Sequence, residues 1–175
     1  MTVDCPLDCE YLRQAHHHEK MPTLNPAEMP NQDVRITEEF LARNEGLLLF
    51  LCEKIFGAAT AETGVVDSDV NEALESLIRT YRTLQSGLVY ETLPANPLAA
   101  RIHRTIQEDV ARLQEEVRQQ GATAPRDSDL MGILVFLHRI AFSQNNGRRR
   151  GRAFIDYLQD YLPKPQEQAT PSLIL

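Results

Sequence analysis

The sequence predicts an all-α fold: an antiparallel helical bundle of about five helices, with a short N-terminal helix and a proline-rich arm. Three observations carry that expectation. Apolar residues recur three and four apart through most of residues 37–162, which is the period of a helix face. Helix punctuation recurs at the boundaries: Thr37 before Glu38 and Glu39, Asn96 before Pro97, and Gly121 and Gly147 after the last apolar positions. No segment of convincing length alternates as a strand would.

Residues 4–19 read as a short helix, with Cys5 near the N-cap and Pro6 in the first turn, where a missing N–H costs nothing. Pro22, Pro26 and Pro30 then preclude a continuous helix, so residues 21–36 form an extended, tethered arm along the bundle. Thr37 caps the next helix, whose apolar face is Phe40, Leu41, Leu47, Leu48, Leu51 and Ile55 and whose end falls between Gly57 and Gly64. Asp67 or Ser68 caps a long helix with Val70, Leu74, Leu77, Tyr81, Leu84 and Leu88 in a coiled-coil-like seam. That seam serves either packing inside one bundle or a homodimer interface.

Asn96 and Pro97 open a helix to about Gln120, with Leu98, Ile102, Ile106, Leu113 and Val117 on one face and Glu108, Arg112, Glu115, Glu116 and Arg118 on the other. Residues 127–143 are apolar on two adjacent stripes. Leu130, Ile133, Leu134, Leu137, Ile140 and Ala141 make one, and Met131, Val135 and Phe142 the other, so this helix is expected at the centre. Asn145, Asn146 and Gly147 stop it. The last helix buries Phe154, Ile155, Leu158 and Leu162 before Pro163 and Pro165. The expected division is a Cys/His helix and arm over 1–36, the bundle over 37–163, and a flexible polar tail over 164–175.

The chain has 175 residues, 42% hydrophobic and 25% charged, enough to bury one core. A net charge of -7 works against polyphosphate, so nucleic acid is not an expected partner. The longest apolar run, Leu47 to Cys52, is far below the roughly 20 residues of a membrane span. The opening residues lack the basic and apolar regions of a secretory signal, which points to a cytoplasmic protein. Three cysteines there are thiols, metal ligands or packing residues rather than a disulfide framework.

The most specific local feature is CPLDCEYLRQAHHH. Cys5 and Cys9 at a helix start present two sulfurs on one face, where free N–H groups stabilise thiolates. His16, His17 and His18 add nitrogen ligands, although Cys9 and His16 lie about 10 Å apart along a straight helix. One metal centre therefore needs a break before His16 or ligands from a second chain, giving zinc or an iron–sulfur cluster. The alternative is that both cysteines simply pack and cap. CPLDCEYL resembles the C-P-x-D-C-x-Y-L opening of a group of uncharacterised bacterial proteins with no established activity. That resemblance implies that Cys5, Pro6, Asp8, Cys9, Tyr11 and Leu12 act as a unit. The leading expectation is a metal-binding or thiol-based regulatory or scaffold protein, with another protein or a second copy as partner.

A different class of function comes from NNGRRRGRAFIDYL. Arg148, Arg149, Arg150 and Arg152 crowd the start of the last helix, where guanidiniums beside free N–H groups make an anion site. Alternatively, at least two of them cap the preceding helix and pair with carboxylates. His138, among Met131, Val135 and Phe142, is core packing if aliphatic side chains enclose it. An adjoining cavity would instead make it part of a ligand-binding or enzyme pocket together with the arginines. Tyr81, Gln85, Tyr90 and Glu91 are further cleft candidates. The Glu-x-x-His pairs of ferritin-like sites, Walker loops, GxGxxG and HExxH are absent.

Overall fold

The computed structural model describes residues 26–145 and 147–163. All regular structure among them is helical. A 3-10 turn at Pro26–Glu28 precedes α1 (Glu38–Arg43), α2 (Glu45–Ala61), α3 (Asp67–Gln85), α4 (Pro97–Gln119), α5 (Asp127–Ser143) and α6 (Ala153–Tyr161). None of these helices is long and apolar enough to cross a membrane.

The helix expected after Thr37 is two helices. Thr37 does cap the first, its Oγ1 accepting from Phe40 N at 3.2 Å. Seven residues later, Asn44 turns both its amide N and its side-chain Nδ2 onto Phe40 O, at 3.1 and 3.0 Å. A short amide side chain that competes for a backbone carbonyl favours a cap over a helix interior, and the chain breaks there. Helix α1 buries no residue completely. Its anchor is Phe40, whose ring lies so close to Gly132 of α5 that a Cβ added there would stand 2.5 Å from Phe40 Cζ. Helix α2 ends at Ala61, between Gly57 and Gly64 as the sequence predicts.

Residues Val70, Leu74, Leu77 and Ile78 of α3 are at most 1% exposed. Each such side chain contributes roughly 1.5–3 kcal/mol of burial free energy. Helix α3 packs against α4, α5 and α6, while α2 touches α1, α4, α5 and α6. Helix α3 has the most buried residues, and α5 packed along it has no exposed residue between 129 and 144, the enclosed position its two apolar stripes predict. Helix α5 buries Leu130, Ile133, Leu134, Val135 and Leu137 but leaves Met131, Phe136, His138 and Ile140 partly exposed, because its outer surface is covered only in part and by the arm. The seam of α3 from Val70 to Tyr81 is buried by helices of its own chain. Leu88, expected to extend it, lies beyond the helix in a loop and is 63% exposed.

The start of α3 departs from expectation in an informative way. Val66 holds the cap position, and Asp69 Oδ2 accepts from Val66 N at 3.0 Å. Asp67 instead caps a different helix: its carboxylate accepts from Phe154 N at 3.1 Å and Ile155 N at 3.2 Å in the first turn of α6. Two helix N-termini abut, so the carboxylate that opens one satisfies the free amides of the other. Asp67 N donates to Gly151 O at 2.9 Å and Arg152 Nη1 to Val65 O at 2.7 Å, completing a four-bond clamp.

The loop into α4 is fixed similarly. Glu72 Oε1 accepts from Ala95 N and Asn96 N at 2.8 and 3.0 Å, and Asn96 Nδ2 donates to Asp69 Oδ1 at 2.6 Å. Asn96 then caps α4 through Leu98 N at 2.8 Å, with Pro97 first, as its sequence predicts.

Candidate functional site

The part of the arm that is described, residues 26–36, is tethered by two arginines. Arg139 of α5 donates to Pro30 O, Asn31 O and Val34 O at 3.2, 2.6 and 2.8 Å. Arg82 of α3 grips Asp33 through two bonds, at 2.6 and 2.9 Å, and holds that carboxyl below its usual range. Asn31 between them has φ 56, a left-handed conformation that asparagine tolerates better than most residues. Its Oδ1 accepts from Arg82 at 3.0 Å, so its Nδ2 faces His138 Nδ1, a long contact of 3.4 Å. With Nδ1 accepting, the imidazole proton sits on Nε2. Burial pushes the His138 pKa down, opposed by Glu75, so the ring is neutral at pH 7.

His138 is not enclosed by aliphatic side chains. It borders a cleft of about 640 Å³ between α3, the end of α5 and the turn that leads to α6. Helix α3 supplies Asp67, Asn71 and Glu75, four apart and hence on one stripe, with Ser68 and Glu72 beside them. The turn supplies Asn145, Gly147, Arg148, Arg149 and Gly151. Asn71 Oδ1 is shielded from solvent and has no hydrogen-bond partner. The Glu75 carboxylate pairs with Arg79 one helical turn on.

The four arginines therefore part company. Arg148 and Arg149 line the cleft beside His138. Arg152 reaches the Val65 carbonyl ahead of α3, not the end of the preceding helix, because the clamp brings residue 65 to it. Arg150 is exposed and outside the cleft. Two amides of the first turn of α6, those of Phe154 and Ile155, expected to help hold an anion, are taken by Asp67. Tyr81, by contrast, is packed in the core with its hydroxyl pushed up to about 12 by burial, and Tyr90 and Glu91 lie on an exposed loop.

Sequence reasoning missed His103 as a buried group. It is 0% exposed in α4, neither ring nitrogen has a hydrogen-bond partner, and Glu91 Oε1 stands 3.9 Å from Nδ1. The signal was present: Ala99, His103, Ile106 and Val110 are spaced four, three and four, the rhythm of a buried stripe. Burial lowers the pKa of His103 against the opposing pull of Glu91. Both rings accept protons more readily unfolded than folded. Stability is therefore unaffected well above about pH 6.5 and falls as pH drops below it. Urea midpoints measured from pH 8 to 5 should decline over that window, and the decline should flatten in a His103→Gln, His138→Gln double variant.

Cys5, Cys9, His16, His17 and His18 lie outside the described residues, as does the tail from 164. Among the described residues, no group of three or more His, Cys, Asp or Glu side chains is placed to hold a metal ion. Cys52 is buried, with its thiol pushed up to about 12. No family model, no curated protein and no solved structure matches the chain.

Proposed function

We propose that the bundle binds a small polar ligand carrying an anionic group, with Arg148 and Arg149 holding the anion and His138 oriented toward the same molecule. The observation that supports this reading is the meeting of these three side chains on one cleft large enough for a small molecule. Guanidiniums match phosphate and carboxylate oxygens in a two-pronged geometry. A neutral imidazole with its proton on Nε2 adds a donor. Glu72 and Glu75 on the facing helix repel a purely anionic molecule, so the favoured ligand also offers hydroxyl, amide or ammonium donors to them.

Thermal melting across a panel of phosphate- and carboxylate-bearing compounds at fixed ionic strength tests the proposal. A ligand at tenfold excess over its Kd stabilises the fold by about 1.4 kcal/mol, a rise of a few degrees. The rise should vanish in an Arg148→Gln, Arg149→Gln variant, read against that variant's own melting temperature without ligand. Equal rises in wild type and variant would contradict the reading.

A further inference from the structure

A second recess, of about 250 Å³, opens between α1, α2, α5 and α6, and shares no lining residue with the polar cleft. Leu48, Cys52 and Leu137 are its buried members, and Phe136, Tyr157 and Tyr161 its aromatic ones. The Tyr157 and Tyr161 rings stack with centroids 6.3 Å apart and planes 14° apart. Among the lining residues Glu45 alone carries a charge. Burial keeps the Cys52 thiol protonated. Burial first, and then Cys52, Tyr157 and Glu45, push the Tyr161 hydroxyl up, so it too stays neutral. The recess thus combines an apolar interior, exposed aromatic surface and one carboxylate, with no cationic side chain in its lining.

That charge pattern selects among occupants. An anion is repelled by Glu45. A neutral apolar body leaves the carboxylate unmatched, whereas an ammonium pairs with it and is also attracted by the faces of tyrosine rings. The volume is below the roughly 300–1,000 Å³ of clefts that take drug-sized molecules, so the apolar body must be compact. We propose that this recess binds a small amphiphilic amine, with its ammonium at Glu45 and its aromatic or short aliphatic body against Phe136, Tyr157 and Tyr161.

Calorimetric titration of the full chain with 2-phenylethylamine, 2-phenylethanol and phenylacetate tests the proposal. The amine should bind about tenfold more tightly than the alcohol, and phenylacetate most weakly. Glu45→Gln should bring amine and alcohol to about the same affinity, the gap being the charge contribution. Ala42→Trp, which places an indole at the rim of the recess, should abolish binding of all three, and its unchanged helical content and cooperative unfolding would show that the fold survives. Binding of none of the three by wild type, a preference for phenylacetate, or binding indifferent to both substitutions would overturn the proposal. Self-association lost in Ala42→Trp would assign the recess to a second copy, and NMR contacts from Leu173, Ile174 or Leu175 to it would assign it to the chain's own residues. Either result would also overturn the amine site.

Discussion

Replacing Asp67 with alanine is expected to lower stability by about 3 kcal/mol, well above the roughly 1 kcal/mol of an ordinary lost cap. Asp67 is 8% exposed, and its carboxylate serves two amides, those of Phe154 and Ile155, residues that are 0% and 1% exposed. Removing it strands both donors away from water, and stranded buried donors are costlier than the hydrogen bonds they made. Asp67→Asn should lose about half as much, since one amide oxygen still serves one donor. Urea denaturation of the three proteins measures the series. An alanine variant within about 0.5 kcal/mol of wild type would show that α6 does not depend on this cap. Because the same clamp seats the turn bearing Arg148 and Arg149, Asp67→Ala should also weaken anion binding in the cleft.

Arg139→Ala should undock the arm at a cost of about 2 kcal/mol, concentrated locally. One guanidinium gathers the Pro30, Asn31 and Val34 carbonyls, and an alanine leaves all three without it. Arg139→Lys should recover less than half of the loss, because a compact ammonium cannot span the positions a planar fork reaches. Hydrogen exchange read over residues 29–36 is the direct measurement: protection should collapse there while α3 stays protected. Undocking also removes Asn31 from His138, so the imidazole pKa should climb back toward its ordinary value. Unchanged protection in the arm would mean that Arg82 and Asp33 alone hold it.

Helix existence and most faces were legible because they rest on local signals. Thr37 and the Asn96–Pro97 pair cap where their residue types predict, and α6 buries Phe154, Ile155 and Leu158 as their spacing selects. Of the expected α4 face, however, only Ile102 and Ile106 are buried, and Leu98, Leu113 and Val117 are half-buried. What could not be read is which group answers an unsatisfied one. The sequence places a carboxylate at Asp67 and free amides at the start of α6, but their meeting depends on two helix starts abutting across the fold. The same limit explains α5. Its apolar circumference implied the enclosed position it holds, but not that the arm rather than a further helix covers part of it. The break at Asn44 did leave a mark, since no large apolar residue falls between Leu41 and Leu47 and the helical spacing skips a turn there. For the site, the sequence joined the arginines to His138 only as an alternative conditional on an adjoining cavity, and the cavity itself depends on how α3 meets the turn before α6. Asn31, Asn71 and Glu75 carry no signal apart from that geometry.

The central claim is that Arg148, Arg149 and His138 serve one ligand. It is tested most directly by following the His138 ring resonances by NMR while titrating inorganic phosphate into the full chain at constant ionic strength. The His138 signals should shift saturably in wild type and not in the Arg148→Gln, Arg149→Gln variant, while the His103 signals stay still in both. His138 signals that ignore phosphate, or that move equally in the variant, would contradict it.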